Sequence, residues 1–88
     1  MANEPYVSNQ VSVGTAATKV ASPSGLGGIL VSCSAATVFG GAGVTTSTGI
    51  SIAASTPTLI PTMGPTHDLY AVVATGTATV SYIYPGGN

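Results

Sequence analysis

The sequence predicts an all-β protein, a small antiparallel β-sandwich or barrel of about seven to nine short strands. No segment keeps the 3.6-residue period of a helix over about ten residues. Residues 77–84 instead alternate polar and apolar side chains at the two-residue period of a half-buried strand. The 12 glycines and 6 prolines are frequent enough to separate short strands by turns. The 88 residues are expected to form one β-sandwich domain at 11–88, after an extended N-terminal arm at 1–10.

The arm prediction depends on the composition of residues 1–10. They are mostly polar, and Pro5 disfavours a helical conformation in the residue before it. The segment has no apolar face to bury within its own domain. Tyr6 and Val7 are its natural anchors, and we expect them to hold the arm on a neighbouring subunit or on a surface beneath it.

The first half of the domain contains several short strands bounded by turn residues. Residues 11–13 alternate as a half-buried strand does, and residues 16–21 form a second short strand. A turn cluster at 22–25 precedes residues 28–34, the most apolar segment of the chain. This segment is predicted to be the central buried strand, with Cys33 as a small core residue.

Residues 39–50 are predicted to form a tight corner between two strand-rich halves. Four glycines at positions 40–49 exclude a helix, because glycine costs roughly 1 kcal/mol per site there. A short strand at 37–39 runs into this corner, and the extended segments 43–46 and 49–52 follow.

The second half begins with residues 56–61, whose two prolines suit an edge strand or a loop crossing. Residues 62–68 are expected to be a loop. Residues 69–74 and 77–84 are predicted to be two strands of a hairpin, joined at residues 75 and 76.

Charge is the most informative feature of the composition. Glu4, Lys19 and Asp68 make up the 3% of charged residues, against about 25% in ordinary soluble domains. A net charge of -1 offers no basic patch for nucleic acid. A small core without a disulfide, under a surface with almost no charge, favours association with other chains. We therefore expect a homo-oligomer with much of its surface covered by partners.

No membrane partner or secretion signal is indicated by the hydropathy pattern. The longest apolar run, residues 26–31, is far shorter than the roughly 20 residues of a spanning helix. The first residues lack a basic segment followed by an apolar one, so no signal peptide is visible. These observations predict synthesis in the cytoplasm.

The chain has too few titratable groups for a convincing catalytic or metal site. His67 and Asp68 are adjacent, but neighbours on an extended chain point in opposite directions. Zinc needs about four ligands, and the chain has one cysteine and one histidine. We predict no catalytic residue, no cofactor and no metal. Asp68 is expected to cap or turn the chain, with His67 at a surface or subunit contact.

Tyrosines are the candidate interaction residues. Tyr6, Tyr70, Tyr82 and Tyr84 could form a stacking or sugar-binding face, with Tyr82 and Tyr84 on the same side of a strand. Interface packing is the better interpretation, because a buried tyrosine hydroxyl can find a partner across a contact. Carbohydrate binding is less well supported because the chain has no tryptophan. The predicted interface residues are these four tyrosines and Val7.

Four segments show a family resemblance. They are VSVGTAAT at 11–18, GVTTSTG at 43–49, DLYAV at 68–72 and GTATV at 76–80. In this order the chain resembles the small accessory virion proteins, of the head decoration or cement type, of tailed bacteriophages. The resemblance implies a β-sandwich on the outer capsid surface, commonly a homotrimer, bound to the major capsid protein. The family form carries a charged residue or two in the strand at 28–34, where this chain has none.

The resemblance and the composition together favour a structural virion protein that decorates and stabilises a phage capsid. The alternative is a head-fibre, tail or receptor/glycan-binding module of the virion. The near absence of charge and the lack of tryptophan favour the structural role, and an enzyme is the least supported class.

Overall fold

The chain forms strands and no helix in residues 6–23, 25–26, 28–64 and 66–85, which the computed structural model describes. Two of the strands are only two residues long. The strands, in chain order, are β1 (Tyr6–Val13), β2 (Thr18–Ala21), β3 (Gly25–Leu26), β4 (Ile29–Cys33), β5 (Thr37–Gly40), β6 (Ile50–Ile52), β7 (Thr58–Ile60), β8 (Met63–Gly64), β9 (Leu69–Val72) and β10 (Ala78–Pro85). No helix capable of crossing a membrane is therefore found in these ranges.

Two four-stranded antiparallel sheets pack face to face, which confirms the predicted all-β sandwich. The first sheet has the order β1-β10-β4-β7, and the second has the order β2-β9-β5-β6. The short strands β3 and β8 pair with each other as a separate ribbon.

The core lies between the two inner faces. Alternation sends every second side chain of most strands inward, and the register irregularity in β2 brings two consecutive residues, Val20 and Ala21, into the core, so both sheets contribute to one apolar cluster. From the first sheet it contains Val13, Ile29, Val31, Cys33, Ala78 and Val80, and from the second it contains Val20, Ala21, Phe39, Ile52, Leu69 and Ala71. Ile29, Val13, Val31 and Val80 are fully buried.

The strand predicted at residues 28–34 lies inside the first sheet, between β10 and β7. It is buried on one face only: Ile29 and Val31 face the core, whereas Leu30 between them is exposed. The strand predicted at 56–61 is β7, and its place at the edge of the sheet agrees with the flanking prolines.

Residues 6–10 do not leave their own domain, contrary to the arm prediction. They are the first part of β1, which pairs with β10 in one continuous register from Tyr6 opposite Pro85 to Val13 opposite Ala78. Backbone pairing needs no apolar side chains, and β10 extends far enough to supply a partner for the polar segment. Residues 1–5 of the predicted arm lie outside the described residues.

The hairpin predicted at residues 69–84 is also wrong, because its two strands belong to different sheets. β9 pairs with β2 and β5, whereas β10 pairs with β1 and β4. The chain crosses between the sheets at residues 73–77, where Gly76 has a φ of 69° and the Val73 N–H donates to the Gly14 carbonyl at 3.0 Å. An alternating pattern shows that a strand is half-buried, and it does not identify the partner strand.

The glycine-rich segment connects two strands of the same sheet. β5 and β6 form an antiparallel pair, with Phe39 opposite Ile50, so residues 41–49 are a hairpin loop rather than a corner between halves. Residues 43–46, predicted to be extended, form no strand. Close packing requires glycine here: a Cβ on Gly40 would lie 2.7 Å from Val44 Cγ2, and one on Gly49 would lie 2.8 Å from it.

Candidate interaction surface

An apolar row crosses three adjacent strands on the outer face of the first sheet. Ile83 on β10 lies opposite Leu30 on β4, and Leu30 lies opposite Leu59 on β7. Their exposed fractions are 37%, 41% and 59%. We call Ile83, Leu30 and Leu59 the apolar row. Register fixes their common face, because residues directly opposite each other in an antiparallel pair point to the same side.

A groove continues the apolar row towards one end of the sheet. Tyr6 lies opposite Pro85 on the same outer face, and its side chain is 70% exposed. Both residues line the groove together with the apolar row, and its volume is about 470 Å³. The outer face therefore offers a continuous apolar strip rather than scattered side chains.

The face around the apolar row carries no charge among the described residues. Its neighbours on β1 and β10 include Ser8, Gln10 and Ser81, all of them uncharged. The charged residues that the structure describes are Lys19 and Asp68, and they pair with each other at 3.6 Å. Lys19 belongs to β2 of the second sheet, so neither charge lies beside the row.

The second sheet differs because its outer face is covered by its own chain. Residues 41–49 fold back over this face and bury Val44 against Val38 and Val72. Ala17 and Tyr70 pack at the margin of this small cluster. Within the described residues, no loop covers the apolar row of the first sheet in the same way.

A second apolar opening lies where the edges of the two sheets separate. It is a cleft of about 330 Å³ between β6 and β7, lined in part by Phe39, Ile50 and Leu59. Ile50 is 72% exposed at this cleft. Leu59 belongs to the apolar row and also lines this cleft, so the two apolar openings meet at β7.

The five predicted interface residues do not form one surface. Tyr82 and Tyr84 stack with ring centroids 5.8 Å apart, half-buried on the inner face of the first sheet against the core. Val7 lies opposite Tyr84 on that inner face. Tyr70 packs at the outer face of the second sheet, and Tyr6 lies on the outer face of the first.

Sequence reasoning missed the apolar row, although one signal for it was present. Ile29, Leu30 and Val31 are consecutive, and a strand cannot send three consecutive side chains to the same face. The middle residue, Leu30, therefore had to point to the opposite face of the sheet from Ile29 and Val31. The two-residue period alone does not show that Leu59 and Ile83 would align with it.

His67 and Asp68 have different structural surroundings. The Asp68 carboxylate accepts a hydrogen bond from Ser22 Oγ at 2.8 Å and pairs with Lys19. The Ser22 hydrogen bond, followed by the Lys19 charge, holds the pKa of Asp68 below its ordinary value. The His67 side chain is exposed. The backbone N–H of His67 donates to the Pro23 carbonyl at 3.0 Å. Asp68 thus links the end of β2 to the segment before β9.

The remaining chemical groups in the described ranges form no cluster of three or more His, Cys, Asp or Glu side chains that could hold a metal ion. Cys33 is buried, with its Sγ 3.7 Å from the carbonyl oxygens of Ile52 and Ala53.

Comparisons of the chain with protein-family models, curated proteins and solved structures found no match. The apolar row, on an outer face without charge in the described part of the chain, is the strongest candidate site.

Proposed function

We propose that this chain is a structural protein without enzymatic activity, which binds other proteins through the apolar row. Its expected place is the outer capsid surface of a tailed bacteriophage, where it decorates and stabilises the shell by contacting the major capsid protein. The observation that carries the proposal is the alignment of Ile83, Leu30 and Leu59 on a sheet face that the described residues leave uncovered and uncharged.

The energetics of this face suit protein association. Removing apolar surface from water contributes roughly 25 cal/mol per Å², and complete burial of a leucine or isoleucine about 1.5–3 kcal/mol. Leu30, Leu59 and Ile83 are already partly shielded, so a contact would add a fraction of that for each. Among the described residues no charged side chain lies beside them, so none has to lose its hydration, which removes a large cost of forming an interface.

The class of partner is argued from charge and from the family resemblance. A nucleic acid would need clustered lysine and arginine, and the described part of the chain contributes Lys19, which is paired with Asp68. The resemblance at residues 11–84 implies a capsid protein as the partner. A capsid lattice also presents many equivalent sites, which suits a small binder with one apolar face.

The alternative is a head-fibre, tail or receptor/glycan-binding module of the virion. A glycan site would need aromatic rings available to the sugar, and Tyr82 and Tyr84 are the stacked candidates. Both rings are half-buried against the core on the inner face. Their position therefore favours a structural role over sugar binding.

The test compares two kinds of variant in binding to phage heads that lack this protein. Combined Leu30→Ser, Leu59→Ser and Ile83→Ser substitutions should lower occupancy at least tenfold, measured by co-sedimentation and by electron microscopy of the particles. Ile50→Ser is the matched control, because it removes an exposed isoleucine that belongs to β6 of the second sheet and not to the row, and it should leave occupancy unchanged.

Thermal unfolding of the isolated proteins shows whether each variant keeps its fold. Full occupancy by the folded triple variant would contradict the proposal. A triple variant that coats heads normally but no longer lets the particle attach to host cells would support the receptor-binding alternative instead.

A further inference from the structure

The four edge strands of the two sheets differ in how well they are protected against pairing with another chain. β7 and β6 are three residues long, and β7 lies between Pro57 and Pro61. β2 is four residues long and carries Lys19 at an irregularity in its register. Short length, proline, lysine and bulges are the usual features that prevent edge pairing.

Within Tyr6–Val13, β1 has none of these features, although Pro5 comes directly before it as Pro57 does before β7. It is eight residues long, contains no proline and no charged residue, and pairs with β10 in an unbroken register. Within the described residues no strand pairs with its other side. Such an edge exposes a row of backbone donors and acceptors that another strand can use.

The hydrogen bonds of Thr79 show which residues of β1 direct their backbone N–H and C=O groups to the free edge of the sheet. The Thr79 N–H donates to Ser34 Oγ at 2.8 Å, and its carbonyl accepts from the Ser34 N–H at 3.0 Å. Both backbone groups of Thr79 therefore point towards β4 and away from Ser12, which lies opposite on β1. The backbone groups of Ser12 consequently point to the outer edge.

Backbone groups alternate in direction along a strand, so the N–H and C=O groups of the other even-numbered residues of β1 also point to the free edge. One further hydrogen bond agrees: the Gln10 N–H donates to its neighbour Asn9 Oδ1 at 2.8 Å instead of to β10. The residues whose backbone groups point to this edge, here called the outward residues, are Tyr6, Ser8, Gln10 and Ser12.

We propose that β1 is a dimerisation strand, which pairs antiparallel with β1 of a second copy about a two-fold axis at Asn9. The outward residues are symmetric about position 9, so this register pairs Tyr6 with Ser12 and Ser8 with Gln10 in both directions. Each of these pairs exchanges two backbone hydrogen bonds. For the Ser8–Gln10 pair, the Gln10 N–H exchanges its present acceptor, Asn9 Oδ1, for the Ser8 carbonyl of the other copy. The first sheets of the two copies then form one continuous sheet.

The chemistry of β1 fits a second copy as the occupant. Neither strand brings a charge, so the two copies do not repel each other along the edge. In this register Val7 lies opposite Val11 of the other copy, which gives the 37% exposed Val7 an apolar neighbour. Ser8 of one copy lies opposite Gln10 of the other on the outer face. Both side chains are uncharged, so no charge has to lose its hydration.

This inference goes beyond the proposed function, because edge pairing does not use the apolar row. A two-fold axis perpendicular to the sheet keeps both outer faces on the same side. The dimer would therefore present two apolar rows to one surface. Once one row is bound, the other is held close to that surface, and its raised effective concentration favours the second contact. It also differs from the trimer implied by the family resemblance, so the measured stoichiometry separates the two assemblies.

Disulfide trapping tests the register directly. Asn9 would face Asn9 in a non-hydrogen-bonded pair, where Cα atoms are about 4.5 Å apart, within the range that a disulfide spans. Asn9→Cys should form a cross-linked dimer with oxidised glutathione. Gln10→Cys, the matched control, faces Ser8 of the other copy and should cross-link at least tenfold more slowly. Equal cross-linking of both variants would contradict the register.

Sedimentation of the protein without cross-links provides the second test. The unmodified chain should be a dimer at micromolar concentration, and Asn9→Lys should weaken dimerisation at least tenfold by placing two like charges opposite each other. Thr79→Lys adds the same charge at an exposed position away from the edge and should remain dimeric. A monomeric or trimeric unmodified chain, or a dimer that Asn9→Lys leaves intact, would overturn the proposal.

Discussion

Ile29 and Leu30 are consecutive residues of β4 whose side chains lie on opposite faces of the first sheet. Ile29 is fully buried in the core, whereas Leu30 lies in the apolar row with 41% of its surface exposed. One residue thus supports the fold of the chain, and the next is available to a partner.

This relationship predicts opposite consequences for two similar substitutions. Ile29→Ala should lower the free energy of unfolding by about 2–5 kcal/mol, because it leaves a cavity between the sheets. Leu30→Ala should lower it by less than about 1 kcal/mol, since it removes a side chain that is partly in water. Urea denaturation of both variants measures the difference, and equal losses would contradict the assignment of faces.

The loop over the second sheet makes a prediction about glycine. In Gly49→Ala the new Cβ would lie 2.6 Å from Val38 Cγ1 and would meet the Phe39 carbonyl oxygen. Relief of this overlap must displace the loop, at a cost of about 1–3 kcal/mol. Thermal unfolding should show a clear decrease in melting temperature.

Gly41→Ala is the control for this substitution, because a Cβ there meets no atom within 4 Å. Its free energy of unfolding should stay within about 0.5 kcal/mol of the unmodified protein. A Gly49→Ala variant as stable as Gly41→Ala would mean that the loop does not pack closely on the sheet.

Asp68 makes a prediction about pH. Its pKa lies below the ordinary value near 3.8, first because Ser22 donates a hydrogen bond to the carboxylate and then because Lys19 is close. A lowered pKa in the folded state means that these contacts stabilise the fold above pH 3.8, and that this contribution is lost as the pH falls through the folded-state pKa.

Ser22→Ala should therefore raise the pKa of Asp68 towards its ordinary value, which NMR titration of the carboxyl group can follow. The variant should be less stable than the unmodified protein at pH 7, and the difference should shrink as the solution is acidified below pH 3.8. An unchanged pKa in Ser22→Ala would show that Lys19 alone controls the carboxylate.

The class of fold could be predicted from the sequence because it depends on local features. Alternation and frequent glycine identify half-buried strands, and two flanking prolines place the strand at 58–60 on an edge. Strand pairing depends on contacts between distant parts of the chain. β9 and β10 both alternate, and neither sequence shows that the first pairs with β5 and the second with β1.

The candidate surface was predictable in character but not in position. The 3% of charged residues indicated a surface suited to partners. The position of the apolar row follows from register, which brings Leu30, Leu59 and Ile83 together from three strands. Tyrosines were the expected anchors by residue type, and the sheet turns Tyr82 and Tyr84 inward.

The position of β10 between β1 and β4 has a consequence for how the protein is made. A ribosome synthesises β1 early and β10 late, so until residues 78–85 emerge the first sheet has no pair other than β4 with β7. Closing such long chain segments costs entropy before any strand pair forms, and sandwiches of this kind fold in milliseconds to seconds. During that interval the nascent chain exposes uncharged apolar strands, the condition in which aggregation competes with folding.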